Sequence, residues 1–168
     1  MNRVATVVRL SGGHTKTERL EAARRSLADI ENTIGVQPVS NNLRGQVWHV
    51  SGGNEQLFRA LASVQNTGQW IGFAGLPYPG WCAAQEAGID LRRVLVVEEV
   101  DPYPARVLAT LIDGLDIVVC GDSGLERRHY RSLGGRARSR GCLVITTHPW
   151  IGVSKPWLRG NVRHLEAV

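Results

Sequence analysis

A glycine-rich turn is the strongest candidate for phosphate chemistry in this sequence. Ser51, Gly52 and Gly53 follow an apolar run that ends at Val50, and an amphipathic segment begins directly after them. A phosphate-binding loop of the form G-x-x-x-x-G-K-[ST] needs glycine amides, a lysine and a hydroxyl for magnesium. This turn has no lysine, and Glu55 brings negative charge to the place where a triphosphate would lie. We therefore interpret it as a degenerate phosphate loop and expect no catalytic residue and no cofactor.

Other candidate catalytic and metal-binding residues lack the spacing that their chemistry needs. Ser123 fails the G-x-S-x-G nucleophile pattern, and none of the five histidines pairs with a cysteine or carboxylate at ligand spacing. The three cysteines form no CxxC pair, and Cys120 and Cys142 stand in apolar runs typical of buried thiols. Asp122 follows a strand, and we expect it to cap the next helix. The sequence thus predicts neither an enzyme nor a metal site.

The most distinctive polar feature is a basic helix predicted over residues 125–141, with Gly134-Gly135 as the place where it would break. Guanidinium groups suit bidentate contacts with phosphates and carboxylates. The helix is therefore a candidate contact for nucleic acid or for an acidic protein partner, and a solvated outer face is the alternative. Its arginines are Arg127, Arg128, Arg131, Arg136, Arg138 and Arg140.

The segment after Pro149 is rich in aromatic residues. Trp150, Trp157 and Arg159 are of the types that anchor protein interfaces, so we take them as candidate partner contacts. The same tryptophans would equally serve to cover an edge of the chain's own sheet, and the sequence does not decide between the two.

From residue 45 to residue 148, apolar runs alternate with amphipathic segments. Near-continuous apolar strands between helices predict a three-layer α/β fold, with a mainly parallel sheet covered by helices on both faces. The predicted strands are 45–50, 68–77, 92–100, 115–120 and 142–148, and the predicted helices between them are 54–65, 78–88, 102–114 and 125–141.

Two further segments flank this predicted core. Apolar residues recur at three- and four-residue steps from Thr15 to Ile34, which predicts a helix that Gly35 ends. We divide the chain into an N-terminal helix and linker over 1–40, a core over 45–148 and a tail over 149–168. Whether the N-terminal helix packs on its own core or on another chain stays open.

The composition is typical of a globular protein. A length of 168 residues fits one domain, and no run of about 18 apolar residues predicts a membrane-spanning helix. The short apolar run near the N-terminus has no cleavage site after it, so we expect a cytoplasmic protein. The formal net charge is +5, and only two of the twenty basic residues are lysines.

Three stretches carry a resemblance to a known family. The family is the RecA superfamily, and its loop into the third strand is similar to residues 87–96 (AGIDLRRVLV). Its helix end and Walker B strand are similar to residues 111–119 (LIDGLDIVV). Its entry to the following strand is similar to residues 136–145 (RARSRGCLVI). Within it, the chain is similar to the shorter ImuA proteins and their actinobacterial counterparts, which also share the likeness of Pro149-Trp150 and of residues 157–159. The likeness covers about residues 45–158.

The resemblance implies a RecA-like core without ATPase chemistry, since Phe73-Ala74-Gly75 lacks the carboxylate that RecA-type ATPases use to activate water. It implies an adaptor in SOS-induced translesion synthesis and mutagenesis. The implied partners are an ImuB-like Y-family polymerase homologue, an error-prone DnaE-type polymerase and RecA, with direct DNA binding and a homo-oligomer left open. The alternative is a SulA-like cell-division inhibitor that binds FtsZ, and a third hypothesis is a residual nucleotide-binding enzyme.

Overall fold

A computed structural model describes residues 6–8 and 43–157, and of residues 6–8 it describes the backbone alone. Seven strands are present: β1 Thr6–Val8, β2 Val47–His49, β3 Ile71–Ala74, β4 Val94–Val97, β5 Ile117–Cys120, β6 Leu143–Thr146 and β7 Lys155–Pro156. Four α-helices lie between them: α1 Gly53–Val64, α2 Trp81–Glu86, α3 Pro104–Gly114 and α4 Tyr130–Arg140. Short 3-10 helices cover Leu91–Arg93 and Arg127–His129.

All strand pairs in the sheet are parallel, and the strand order is β1-β4-β3-β5-β6-β2-β7. The four strands β3 to β6 are buried at every residue. The sequences of such strands are continuous apolar runs because both faces of the sheet are covered. The predicted parallel α/β fold is confirmed.

The direction in which the chain moves along the sheet decides where the helices lie. From β2 through β3 to β4 the chain steps one way, and from β4 through β5 to β6 it steps back. Since parallel crossovers are right-handed, these two directions place helices on opposite faces. The core follows this division: α1 and α2 pack on one face of the sheet, and α3 and α4 pack on the other. This makes three layers.

The five predicted core strands and the four helices between them are present, with shorter bounds. Two edge strands were not predicted: β1 pairs with β4, and β7 pairs with β2. They come from the predicted N-terminal segment and from the predicted tail, so the sheet extends beyond residues 45–148. The predicted helix over residues 15–34 lies outside the described residues.

The predicted break in the basic helix is wrong, because α4 runs without interruption through Gly134 and Gly135. Gly134 is buried, and a Cβ there would lie 2.7 Å from Val153 Cγ1. The glycine therefore allows the segment before β7 to approach the helix closely. In the described part of the chain, no helix has both the length and the apolar character that a membrane crossing requires.

Candidate functional site

The carboxyl edge of the sheet is where a ligand site is expected. In parallel α/β sheets, ligands bind beyond the carboxyl ends of strands whose following loops turn to opposite faces. Here β3 leads to α2 on one face and its neighbour β5 leads to α4 on the other. The turn after β2, which is the degenerate phosphate loop of the sequence, lies at the same edge.

The turn after β2 is open to solvent but presents the wrong groups for a phosphate. Its residues Ser51–Gly53 are exposed, and Gly52 has a φ of +109°. A Cβ at Gly52 would lie 2.5 Å from the Gln56 amide carbon, so the Gln56 side chain lies against this turn. Glu55 accepts a hydrogen bond from Arg59 Nη2 at 2.6 Å. An uncharged amide and a paired carboxylate thus stand where phosphate binding needs positive charge.

The crevice between β3 and β5 is closed by backbone packing. A Cβ added at Gly121 would overlap the Gly75 carbonyl oxygen, and one added at Gly75 would lie 3.0 Å from Ser123 Cβ. The Gly121 N–H also donates to the Ala74 carbonyl at 2.9 Å. The loops that follow the two strands therefore touch directly. They meet at the point where the topology would favour a ligand.

Burial also makes the cysteine thiol at the end of β5 unreactive. Cys120 is buried, and desolvation raises the pKa of its thiol to about 11, although the hydrogen-bond contact with Ser123 Oγ at 3.5 Å opposes that rise. The thiol is therefore protonated at neutral pH, which makes it a poor nucleophile. Within residues 6–8 and 43–157, no three His, Cys, Asp or Glu side chains converge on a position for a metal ion.

The expected role of Asp122 as a helix cap is wrong. The next α-helix begins only at Tyr130, and its N-terminal residue has no side-chain cap. Asp122 is exposed, whereas its neighbour Ser123 is buried in the closed crevice. Residues 123–129 form a loop and a 3-10 turn between Asp122 and α4. Asp122 is therefore too far from the start of α4 to cap it.

A second feature of the edge was missed from the sequence. The loop after β3 projects Tyr78, which is 94% exposed and has a φ of +55°. Asn54, in the first turn of α1, donates from Nδ2 to the Pro79 carbonyl at 3.1 Å and so ties this loop to α1. The Pro-Tyr-Pro-Gly motif at 77–80 signals a turn, but it does not tell which side chain points outward.

The arginines of the basic helix divide into two groups. Arg136 makes two 2.7 Å hydrogen bonds to the Asp113 carboxylate, and Arg140 adds one at 3.1 Å. The Arg136 guanidinium is the main reason that the pKa of Asp113 lies below its ordinary value. Arg128 bonds to Glu126 at 2.8 Å. These three of the predicted contact residues therefore already have acidic partners within the chain.

The other group consists of Arg127, Arg131 and Arg138, all of which are exposed. Among residues 43–157, no acidic side chain forms an ion pair with any of them. The structure thus selects three of the six predicted arginines as groups that the described chain does not neutralise.

The predicted role of Trp150 as an exposed partner contact is wrong. Its ring is only 3% exposed and stacks on Tyr130, with ring centroids 5.2 Å apart. Trp157 is half-buried and packs edge-on against Trp48 at 5.6 Å. Both residues cover the sheet of their own chain, because β7 brings the segment around them alongside β2. Arg159 lies outside the described residues.

At the opposite end of the sheet, the segment before β4 forms a surface groove of about 350 Å³. Its polar wall is an ion pair in which Arg92 donates to both oxygens of Asp90 at 2.9 Å. The hydrogen bond from Arg92 is the largest cause of the lowered pKa of Asp90. The groove is lined by Gln85, Gly88, Ile89, Asp90, Leu91 and Arg92.

Comparison with known proteins gives two matches. The family described as MT3502 N-terminal domain matches residues 35–152 of the chain. A protein of Mycobacterium tuberculosis named uncharacterized protein Rv3395c is 36% identical over 150 residues, which cover 82% of this chain and 74% of that protein. The family match includes every strand from β2 to β6 and the turns that follow β2, β3 and β5.

Proposed function

The chain belongs to the MT3502 N-terminal domain family, and on that premise we propose that it is a non-catalytic, RecA-like adaptor of the ImuA type. It acts in the cytoplasm during SOS-induced translesion synthesis and mutagenesis. Its partners are an ImuB-like Y-family polymerase homologue and an error-prone DnaE-type polymerase.

The observation that carries the proposal is the state of the carboxyl edge. Ser51–Gly53 join β2 to α1, which is the position of a phosphate-binding loop in the RecA-like resemblance, but this turn is shorter than such a loop. The lysine is absent, and Gln56 lies against the turn. Phosphoryl transfer depends on positive groups that stabilise the transferred phosphate. A scaffold that keeps this architecture without its charges is suited to recognition rather than to hydrolysis.

The positions of the three family-like stretches give further support. Residues 87–96 lead into β4, residues 111–119 join the end of α3 to β5, and residues 136–145 join the end of α4 to β6. Each stretch thus leads into a buried strand, which is the position that the proposed resemblance to RecA gives it.

A co-purification with defined partners tests the adaptor function. The tagged chain is co-expressed with the Y-family polymerase homologue encoded in the same genome, and, separately, with FtsZ. We expect a stable complex with the polymerase homologue and none with FtsZ. A complex with FtsZ alone would replace the adaptor with the SulA-like division inhibitor.

A calorimetric titration with ATP and magnesium tests the loss of phosphate chemistry. We expect no binding below millimolar concentration and no phosphate release. Micromolar affinity with turnover would make the chain an enzyme and overturn the proposal. A P-loop ATPase measured under the same conditions is the positive control.

A further inference from the structure

Helix α4 has two flanks with different surroundings. One flank faces α3, where Arg136 and Arg140 are bound to Asp113. The other flank borders the β2 side of the sheet, since Gly134 lies against Val153 and the Arg138 Cα lies against Gly45. Ion pairs within the chain therefore neutralise one flank only.

The second flank carries Arg131 and Arg138, and the 3-10 helix before α4 carries Arg127; we define these three residues as the arginine stripe. Arg131 and Arg138 are seven residues apart, or two helical turns, so they lie on the same side of α4, about 10 Å apart along its axis. Arg127 precedes them in the adjoining 3-10 helix. All three are exposed, and within residues 43–157 no carboxylate is ion-paired to them.

The side chains beside the stripe distinguish between possible partners. Ser132 and Ser139 are exposed and small, and Gly135 has open space beside it. The centre of a protein interface is depleted of charge and enriched in aromatic residues. Phosphate contacts, in contrast, come largely from arginine and need no apolar surface. The Ser132 and Ser139 hydroxyls already donate to the His129 and Gly135 carbonyl oxygens, so the arginines would make the phosphate contacts here. The composition of this flank therefore favours phosphates over a protein surface.

The aromatic content of α4 distinguishes between single-stranded and duplex nucleic acid as the ligand. Non-specific binding of single strands relies on aromatic rings on which bases stack. The Tyr130 ring is already stacked on Trp150 with an interplanar angle of 5°. Helix α4 has no second aromatic residue, so it lacks the series of rings on which successive bases stack, and the flank is better suited to the backbone of a duplex.

We propose that the arginine stripe binds the phosphate backbone of duplex nucleic acid without reading its sequence. This inference goes beyond the adaptor function and does not depend on it. Three phosphate contacts release about three counterions, which sets the slope of log affinity against log salt near −2.7.

The test is fluorescence anisotropy of a labelled DNA duplex with the purified chain, from 50 to 200 mM salt. For three contacts, we expect affinity to fall about 40-fold across this range. The double variant Arg131→Gln/Arg138→Gln keeps one contact, so its affinity should fall only about 4-fold across the same range. It should also bind more weakly than the parent at 50 mM.

Two matched controls lose the same net charge. Arg136→Gln/Arg140→Gln removes the arginines paired with Asp113, and Arg59→Gln/Arg92→Gln removes arginines paired with Glu55 and Asp90. We expect both to keep the steep salt dependence of the parent. The second control remains valid if loss of the Asp113 pair impairs folding, which circular dichroism would show.

Three outcomes would overturn the proposal. They are no binding to duplex at 50 mM salt, an equal loss of affinity in the stripe variant and the controls, and tighter binding to labelled polyglutamate than to duplex. The last would assign the stripe to an acidic protein. Because the purified chain is used alone, none of these outcomes bears on the complex with the polymerase homologue.

Discussion

The turns after β2 and β5 occupy similar positions in the fold but differ in solvent exposure and packing. Each follows a strand of the central sheet and lies at the carboxyl edge. The turn after β2 is exposed, and its glycines have positive φ angles of 109° and 82°. The turn after β5 is buried at Gly121 and Ser123, which touch the loop after β3. The first is open to solvent but lacks the positive groups that bind phosphate, whereas the loops at the second pack directly against each other.

The comparison shows two ways in which the carboxyl edge of one sheet can be unsuited to a phosphate ligand. Replacing charged groups costs the fold little, because an open turn tolerates many side chains. Where two loops pack directly against each other, a substitution in one loop also disturbs the backbone of the other loop. The two turns should therefore respond very differently to substitution.

The largest difference is expected for alanine in place of glycine. Gly121→Ala places a methyl group against the Gly75 backbone, which has little freedom to move, and overpacking of this kind should lower the free energy of unfolding by about 3 kcal/mol. Gly53→Ala meets no neighbour within 4 Å, and only its positive φ opposes the change, at about 1 kcal/mol. Urea denaturation of both variants measures the difference. Equal losses would show that the closed crevice is not a packed contact.

A second difference is expected at alkaline pH. Burial raises the pKa of the Cys120 thiol from 9.0 to about 11, so the folded state holds this proton more tightly than the unfolded state. This contribution to stability is complete below pH 9 and is lost as the pH rises through 11, by about 3 kcal/mol. Cys120→Ala should reduce the slope of unfolding free energy against pH in that window.

The control for this effect is Cys82→Ala, since Cys82 is exposed on α2. It should leave the slope unchanged. Burial also raises the pKa of Cys142, so part of the slope should remain in the Cys120 variant. An unchanged slope in the Cys120 variant would mean that solvent reaches the end of β5.

The smallest effect is expected at the open turn. Gln56→Ala removes the amide that lies against Gly52, and since Gln56 is exposed the free energy of unfolding should change by less than about 0.5 kcal/mol. Binding of ATP should not appear, because the turn still lacks a lysine. Micromolar ATP binding by this variant in calorimetry would show that Gln56 alone blocks the site.

Much of the central sheet could be predicted because its strands are apolar on both faces. The run from Ile117 to Cys120 is an example: every residue is buried and apolar, so no polar position interrupts the pattern. The edge strands could not be predicted in the same way. β7 is exposed, two residues long and contains Pro156, so its membership in the sheet depends on pairing with Trp48 and His49 rather than on its own composition.

The candidate site was predictable only as a list of residue types. The missing lysine after β2 is visible in the sequence, and so is the number of arginines in the basic helix. Which arginines are neutralised is not visible, because Asp113 reaches Arg136 and Arg140 from another helix, 23 and 27 residues away. The same holds for Trp150, whose burial depends on Tyr130.

The amino-acid sequence by itself therefore determined the alternation of strands and helices and the absence of a lysine from the turn after β2, because hydrophobic period and residue type are local properties. The tertiary structure alone decided that the loops after β3 and β5 pack against each other, that Trp150 is buried and that three arginines lack acidic partners among the described residues. These features arise from contacts between segments far apart in the chain. No local pattern specifies such contacts, since they depend on where the parallel sheet brings each loop and helix to rest.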